Sequence, residues 1–315
     1  MDMRSMGRLQ SLRLVTRILF FLLFLLAPSL DLLRVDLRAG HLVLLGQTFT
    51  PGVGAFLTQA GESPLHAGVT LIVQLILPAL ALVVGVLWVA HRFGRVYCGW
   101  LCPHFSVVEW INALMERALG KPVLWESAPP GTRLRPLWGV MTIMVALLMA
   151  LVWALSLLTY LLPPREVLAE FLAGEPGFGP ALFLSVATGV FFLDFMLARH
   201  LFCRFGCAVG MAQSLAWMAN PGALAPMMRQ SAGAACAGCP QDCQRVCPMR
   251  LNPRAGKRRI ATCTQCGLCV QGCAGVRGHH PGGAPLAWMR GTEVSSRPNS
   301  VFIPVPGRGT PESGA

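Results

Sequence analysis

The chain has 315 residues, 54% of them hydrophobic and only 13% charged, and its mean hydropathy is +0.56. Such a balance excludes an ordinary soluble protein and predicts a membrane protein. The net charge of +12 would suit a nucleic-acid binder, but basic residues gather on the cytoplasmic side of membrane proteins for topological reasons, so no nucleic acid is expected as a partner.

In chain order, Arg4, Arg8, Arg13 and Arg17 precede an apolar run over residues 18–30. That run is short for a span. Leu12, Leu14 and Val15 extend it on one side and residues 30–33 on the other, with Arg17 and Asp31 placed to snorkel toward the interfaces. Ala27-Pro28-Ser29 resembles a signal-peptidase site, so a cleaved signal competes with the retained helix that we expect. Residues 34–66 read as a loop with a small apolar patch at 41–45. Residues 67–90 form an uncharged run long enough to cross a bilayer, with Pro78 expected to kink it. An interfacial helix is expected over 104–119, where Phe105, Val108, Ile111 and Met115 share a stripe. Further spans are expected over 136–164 and 176–198, with Asp194 and Arg199 forming a local pair at the end of the last. From residue 221 the composition turns soluble, and residues 281–315 are expected to be a disordered tail.

Aligning Cys98 with Cys203 repeats the order helix, helix, aromatic-C-x3-C, short amphipathic helix. The predicted fold class is therefore an α-helical membrane protein with four transmembrane helices in two pseudo-repeats, over residues 1–220, plus a small two-cluster domain over 221–280. Segments 1–17, 92–135 and 199–315 carry 4, 6 and 13 Lys plus Arg, whereas loops 31–66 and 163–179 carry 2 and 1. Both termini and all cysteine motifs are thus expected on the cytoplasmic face of a bacterial inner membrane.

Cysteine spacing carries the chemistry. One run is Cys236, Cys239, Cys243 and Cys247, followed by Pro248; the other is Cys263, Cys266, Cys269 and Cys273, with C-x2-C-x2-C-x3-C spacing. In two-cluster arrangements of this type, the fourth cysteine of each run ligates the other cluster. We therefore assign Cys236, Cys239, Cys243 and Cys273 to one [4Fe–4S] cluster, and Cys263, Cys266, Cys269 and Cys247 to a second. The first run is one residue too long, so its cluster is expected to be the more labile. Zinc ribbons and disulfides fit less well, because triads recur and no histidine lies between Cys236 and Cys273.

Cys98, Cys102, Cys203 and Cys207 sit where the second and fourth spans end. Two such pairs related by the repeat form a candidate redox or metal site for copper(I), zinc, a further cluster or a dithiol–disulfide couple; simple packing of small buried thiols is the alternative. His91, His104 and His200 are candidate extra ligands, and Glu109 a candidate proton relay or a solvated helix face.

The motifs GRVYCGWLCP and FCRFGC, with the paired cluster motifs after four spans, resemble bacterial membrane polyferredoxins, the group of NapH-type proteins, the membrane portion of NosR and CcoG/FixG/RdxA-type proteins. The resemblance covers residues 12–275. The second membrane motif has Ala208 where the family has proline. The resemblance implies electron transfer between the quinone pool or a cytoplasmic donor and a redox partner protein. For CcoG-like members it implies reduction of copper(II) in oxidase assembly, with copper at the membrane cysteines. A membrane redox sensor is a third alternative.

Overall fold

The computed structural model describes residues 3–38, 40–49, 65, 68–69, 72–124, 131–229, 236, 239–278 and 283–290. Four stretches are long and apolar enough to cross a membrane: Gly7–Leu26, Ile72–Phe93, Pro136–Leu161 and Phe178–Ala198. The 22 residues of Ile72–Phe93 rise about 33 Å as a helix, enough for a hydrocarbon core of about 30 Å.

Helix α1 (Met3–Leu26) includes Arg13 and Arg17. Strands β1 (Leu33–Asp36), β2 (His41–Leu44) and β3 (Gln47–Phe49) follow as an antiparallel sheet in that order. The patch read as loop is therefore strand β2, with Val43 buried. Leu45 and Gly46, both at positive φ (50° and 76°), make the two-residue turn into β3, a geometry whose twist matches the flanking strands.

A five-residue π turn, Ile72–Ile76, leads into α2 (Leu77–Phe93). Pro78 sits in the first turn of α2. Its missing N–H and its clash with the carbonyl four residues back explain why the irregularity lies just ahead of it. Short helix α3 (Val96–Trp100) and then α4 (Pro103–Leu119) follow. The predicted stripe of α4 is buried, and Val107, Ile111 and Met115 share a core with Ala146, Ala150, Trp153 and Phe195. Ala146, Ala150 and Ala154, one turn apart on α5 (Pro136–Leu161), are fully buried. Small residues at this spacing let neighbouring helices approach closely.

Beyond α6 (Pro164–Leu172), α7 (Phe178–Leu193) packs against α5 and ends in a π turn, Asp194–Ala198. A second π turn, Phe202–Gly206, precedes α8 (Ala208–Met218). The two repeats share a detail of backbone geometry. Gly94 and Arg199, each four residues before a C-x3-C motif, lie at φ 76° and 41°. In the first repeat glycine accommodates this conformation; in the second an arginine adopts it, an uncommon placement for a residue with a side chain.

Strand β4 (Leu224–Met228), helix α9 (Asp242–Arg245), two 3-10 turns (Pro253–Ala255 and Lys257–Ile260) and α10 (Leu268–Arg277) build the cysteine-rich region. Strand β5 (Leu286–Arg290) pairs antiparallel with β4, Leu224 opposite Arg290 and Met228 opposite Leu286. The expectation of a disordered tail from residue 281 is thus corrected for 283–290, where Leu286 is buried against Cys243, Cys269 and Cys273. Residues 291–315 lie outside the described residues.

The N-terminal part of α1, the C-terminal ends of α2 and α7 and the cysteine-rich region meet at one end of the molecule. At the other end the Leu37 N–H donates to the Leu161 carbonyl (3.1 Å), and Arg38 pairs with Glu166 and Glu170. A single hydrophobic core joins Phe105, Cys203 and Trp217 of the helical part to Ala225, Met227, Met249, Leu251 and Ile260. The change at residue 221 is therefore one of composition, and packing is continuous across it.

Candidate functional site

Two cavities organise the eight-cysteine region. The inner one is lined by Cys247, Cys263, Cys266 and Cys269 within walls that include Met249, Leu251 and Ile260. The outer one is lined by Cys236, Cys239, Cys243 and Cys273, together with Gln241, Asp242, Met228, Leu286, Arg254 and Arg277. Each cavity thus draws three cysteines from one run and the fourth from the other. Local backbone explains how. Gln265 and Gly267, at φ 57° and 78°, coil the chain between Cys263 and Cys269, and Gly267 caps the start of α10. Cys269 and Cys273, one turn apart on α10, line different cavities, so α10 is a wall that both share.

Backbone amides are aimed at the sulfurs. The Leu251 N–H donates to Cys247 Sγ (3.4 Å), and the Met249 and Arg250 amides also bear on that thiol. The Gln265 amide addresses Cys263, that of Leu268 addresses Cys266, and that of Leu286 addresses Cys273. Burial nevertheless pushes the Cys266 and Cys243 thiols up to about 11, and Cys263 higher still. Iron bound at these sulfurs would replace the proton that burial otherwise retains. Among the described residues no group of three or more Cys, His, Asp or Glu could hold one metal ion. Zinc requires its sulfurs about 2.3 Å from a single point. Four thiols spread around a cavity, with amides directed at them, fit a multi-atom iron–sulfur cluster better.

Cys98 and Cys203 are buried, and Cys102 and Cys207 half-buried. The C-x3-C spacing does not place each pair on one helical face. Pro103 starts a new helix, so Cys98 lies in α3 while Cys102 caps α4. In the second repeat Cys203 lies in a π turn and Cys207 caps α8, which starts without the proline. The four thiols still share a neighbourhood: Cys98 and Cys207 bear electrostatically on Cys102, and Cys98 and Cys102 bear on Cys203. Burial lifts Cys102 to about 12.

Of the candidate histidines, His104 stands beside these thiols. Its Nδ1 lies 3.7 Å from Cys203 Sγ, and its Nε2 lies 2.7 Å from Asp194 Oδ2. Asp194 therefore pairs with His104 rather than with Arg199. Arg199 instead donates to Asn112 Oδ1 and the Pro122 carbonyl (3.2 and 2.6 Å). His91 hydrogen-bonds the Ala216 carbonyl (3.0 Å). His200 is buried.

Glu109 does not lie on a solvated face. It pairs with Arg13 (2.6 Å) and with Arg17, all three side chains being largely buried. Arg17 therefore does not snorkel. Separations of 92 and 96 residues hide this cluster from any local pattern. It stands against the inner cavity: Gln10 Nε2 donates to the Cys266 carbonyl (2.9 Å), and Arg13 Nε to the Gly99 carbonyl (2.7 Å). Trp100 Nε1 donates to the Gln265 carbonyl (3.1 Å). A methyl group on Gly99 would overlap the Thr264 carbonyl oxygen, and one on Gly94 would meet the Gln265 side chain. Glycine at both positions lets the segment carrying Cys98 dock directly on the Cys263–Cys266 loop.

Residues 75–122 match the family model described as a 4Fe-4S binding domain. That stretch contains Cys98 and Cys102 but none of the eight clustered cysteines. The chain is 26% identical over 204 residues to the putative electron transport protein YccM of Escherichia coli, covering 62% of this chain and 53% of that protein. It is 28% identical over 198 residues to the ferredoxin-type protein NapH of Haemophilus influenzae, covering 60% and 63%. The chain thus spans a little over half the length of these curated relatives. No solved structure matches. These matches bear out the resemblance carried by the cysteine motifs, to membrane proteins of ferredoxin type that carry 4Fe-4S clusters in electron transport.

Proposed function

We propose that this chain is a membrane-embedded electron carrier, passing single electrons between the quinone pool or a cytoplasmic donor and a redox partner protein. The observation that carries this reading is the crossed lining of the two cavities, each with three cysteines from one run and the fourth from the other. Cys247, Cys263, Cys266 and Cys269 would hold one [4Fe–4S] cluster, and Cys236, Cys239, Cys243 and Cys273 the second. When bound, such clusters supply reversible one-electron chemistry. The protein's own part is to hold eight thiolates and to direct the Met249, Arg250, Leu251, Gln265, Leu268 and Leu286 amides at sulfur, which stabilises added negative charge. Apolar walls keep water from the inner site. The distribution of basic residues supports a location of both sites on the cytoplasmic face of a bacterial inner membrane.

Anaerobically reconstituted chain is expected to hold about eight irons and to give reducible cubane signals in electron paramagnetic resonance. Zinc without iron would contradict the reading.

A second reading gives the membrane thiols a metal of their own, a further cluster or copper. The observation favouring it is the convergence of Cys98, Cys102, Cys203 and Cys207, with Cys98 and Cys102 inside the matched 4Fe-4S stretch. A variant with all four changed to serine is expected to lose that metal while keeping the eight irons. Unchanged metal content would remove this reading, and copper bound and reduced only by the unaltered chain would favour a copper reductase.

A further inference from the structure

Arg95 is among the most buried side chains of the protein, 1% exposed. Its Nη2 donates to the Cys203 carbonyl (2.6 Å) and its Nη1 to the Thr262 carbonyl (3.3 Å), while Nε has no hydrogen-bond partner among the described residues. Those contacts put one guanidinium between the membrane cysteines and the Cys263 loop of the inner cavity. Among the described residues no carboxylate forms an ion pair with it. Arg13 and Arg17, buried on the other side of the same loop, share Glu109.

A buried guanidinium without an anion is strongly destabilising. Yet the fold makes room for this one: a methyl group on Gly210 would overlap Arg95 Nη2. The anions within its reach are thiolates. Its charge favours the thiolate forms of Cys98, Cys203 and Cys263, residues of two different candidate centres.

We propose that Arg95 is the counter-ion shared by the membrane cysteines and the inner cavity, a positioning residue that favours the electron-loaded state of the inner centre and couples the two centres electrostatically. This rests on the inner cavity being a cluster site. A four-iron cluster held by four thiolates is a net anion, and one added electron raises its negative charge by one. A fixed cation against it makes that addition easier, because net charge is among the terms that set cluster potentials.

The test uses the full chain in detergent, reconstituted anaerobically with iron and sulfide and titrated with dithionite through mediators under electron paramagnetic resonance. Iron is counted first: an iron-free wild type would defeat the cluster reading itself. The inner signal is the one that Cys247→Ser abolishes. In Arg95→Gln the reduced-to-oxidised ratio of that signal is expected to fall at least tenfold at a given potential, a shift of about 59 mV for one electron. The outer signal is expected to stay in place. Arg95→Lys should recover more than half of the shift, and the exposed Arg258→Gln should produce none. An Arg95→Gln protein titrating like wild type, or a shift shared equally by both signals, would overturn the proposal. So would Arg95→Lys behaving like Arg95→Gln, which would assign Arg95 to shape rather than charge. If Arg95→Gln fails to retain iron, Gly210→Ala takes its place, since it keeps the charge and displaces it. A smaller fall in the inner signal alone is then expected, and an unmoved signal would count against the proposal.

Discussion

The inner cavity has walls of Pro226, Met249, Leu251, Pro253 and Ile260 and touches α1 and α3, whereas the outer one has Gln241, Asp242, Arg254 and Arg277 in its lining. Both are bounded by four cysteines, so the ligand pattern alone does not distinguish them. Their surroundings do. The inner site has buried cations nearby in Arg13, Arg17 and Arg95, and a fixed junction with the helices. Each site has two buried and two half-buried cysteines, but the cations of the outer one, Arg254 and Arg277, belong to its own rim. Two similar cysteine runs thus produce two environments, one joined to the helices and one with its cations on its own rim.

That contrast can be broken from the inner side. Glu109→Gln leaves Arg13 and Arg17 buried without their carboxylate, and is expected to cost about 3–5 kcal/mol. The loss should appear in denaturant titration and as release of iron from the inner site before the outer; unchanged stability would mean that the ion cluster does not anchor α1 there. Gly99→Ala forces a methyl group against the Thr264 carbonyl and should cost about 1–3 kcal/mol. Its iron loss is expected at the inner site too, and selective loss from the outer site would contradict the docking. Without any substitution, a chelator or air should strip the outer cluster first, because α1 and α3 close over the loop of the inner site. Equal rates would erase the distinction.

A smaller effect concerns the cluster-free chain. Burial holds the Cys243 and Cys266 thiols at about 11, against about 8.5 in an unfolded chain. Because the folded values are raised, these thiols stabilise the fold fully below about pH 8.5, and that contribution is lost as pH rises through about 11. Denaturation of cluster-free protein should therefore become easier from about pH 8.5 to about pH 11, and a midpoint that holds or rises would show these thiols to be accessible to water.

The parts legible in the sequence are those with local periodicity. The apolar runs announced four spans, the second run of cysteines announced a cluster motif, and the stripe of Phe105, Val108, Ile111 and Met115 announced α4. What escaped notice depends on residues distant in sequence. Arg13 and Glu109 lie 96 residues apart, and His104 and Asp194 lie 90 apart, so the nearer Arg199 looked like the aspartate's partner. Strand β5 sits between Pro- and Gly-rich stretches and is stabilised by β4, some sixty residues earlier, rather than by a pattern of its own. The break between Cys98 and Cys102 did have a local signal in Pro103, which marks a helix start.

The crossed ligation of the two sites is tested most directly by counting iron in two single-serine variants, Cys247→Ser and Cys273→Ser, alongside wild type. Each variant is expected to fall from about eight irons to about four. Cys247→Ser should lose the signal that Cys263→Ser also removes, and Cys273→Ser the one that Cys239→Ser removes. The opposite pairing, Cys247 grouped with Cys239 and Cys273 with Cys263, would contradict the account.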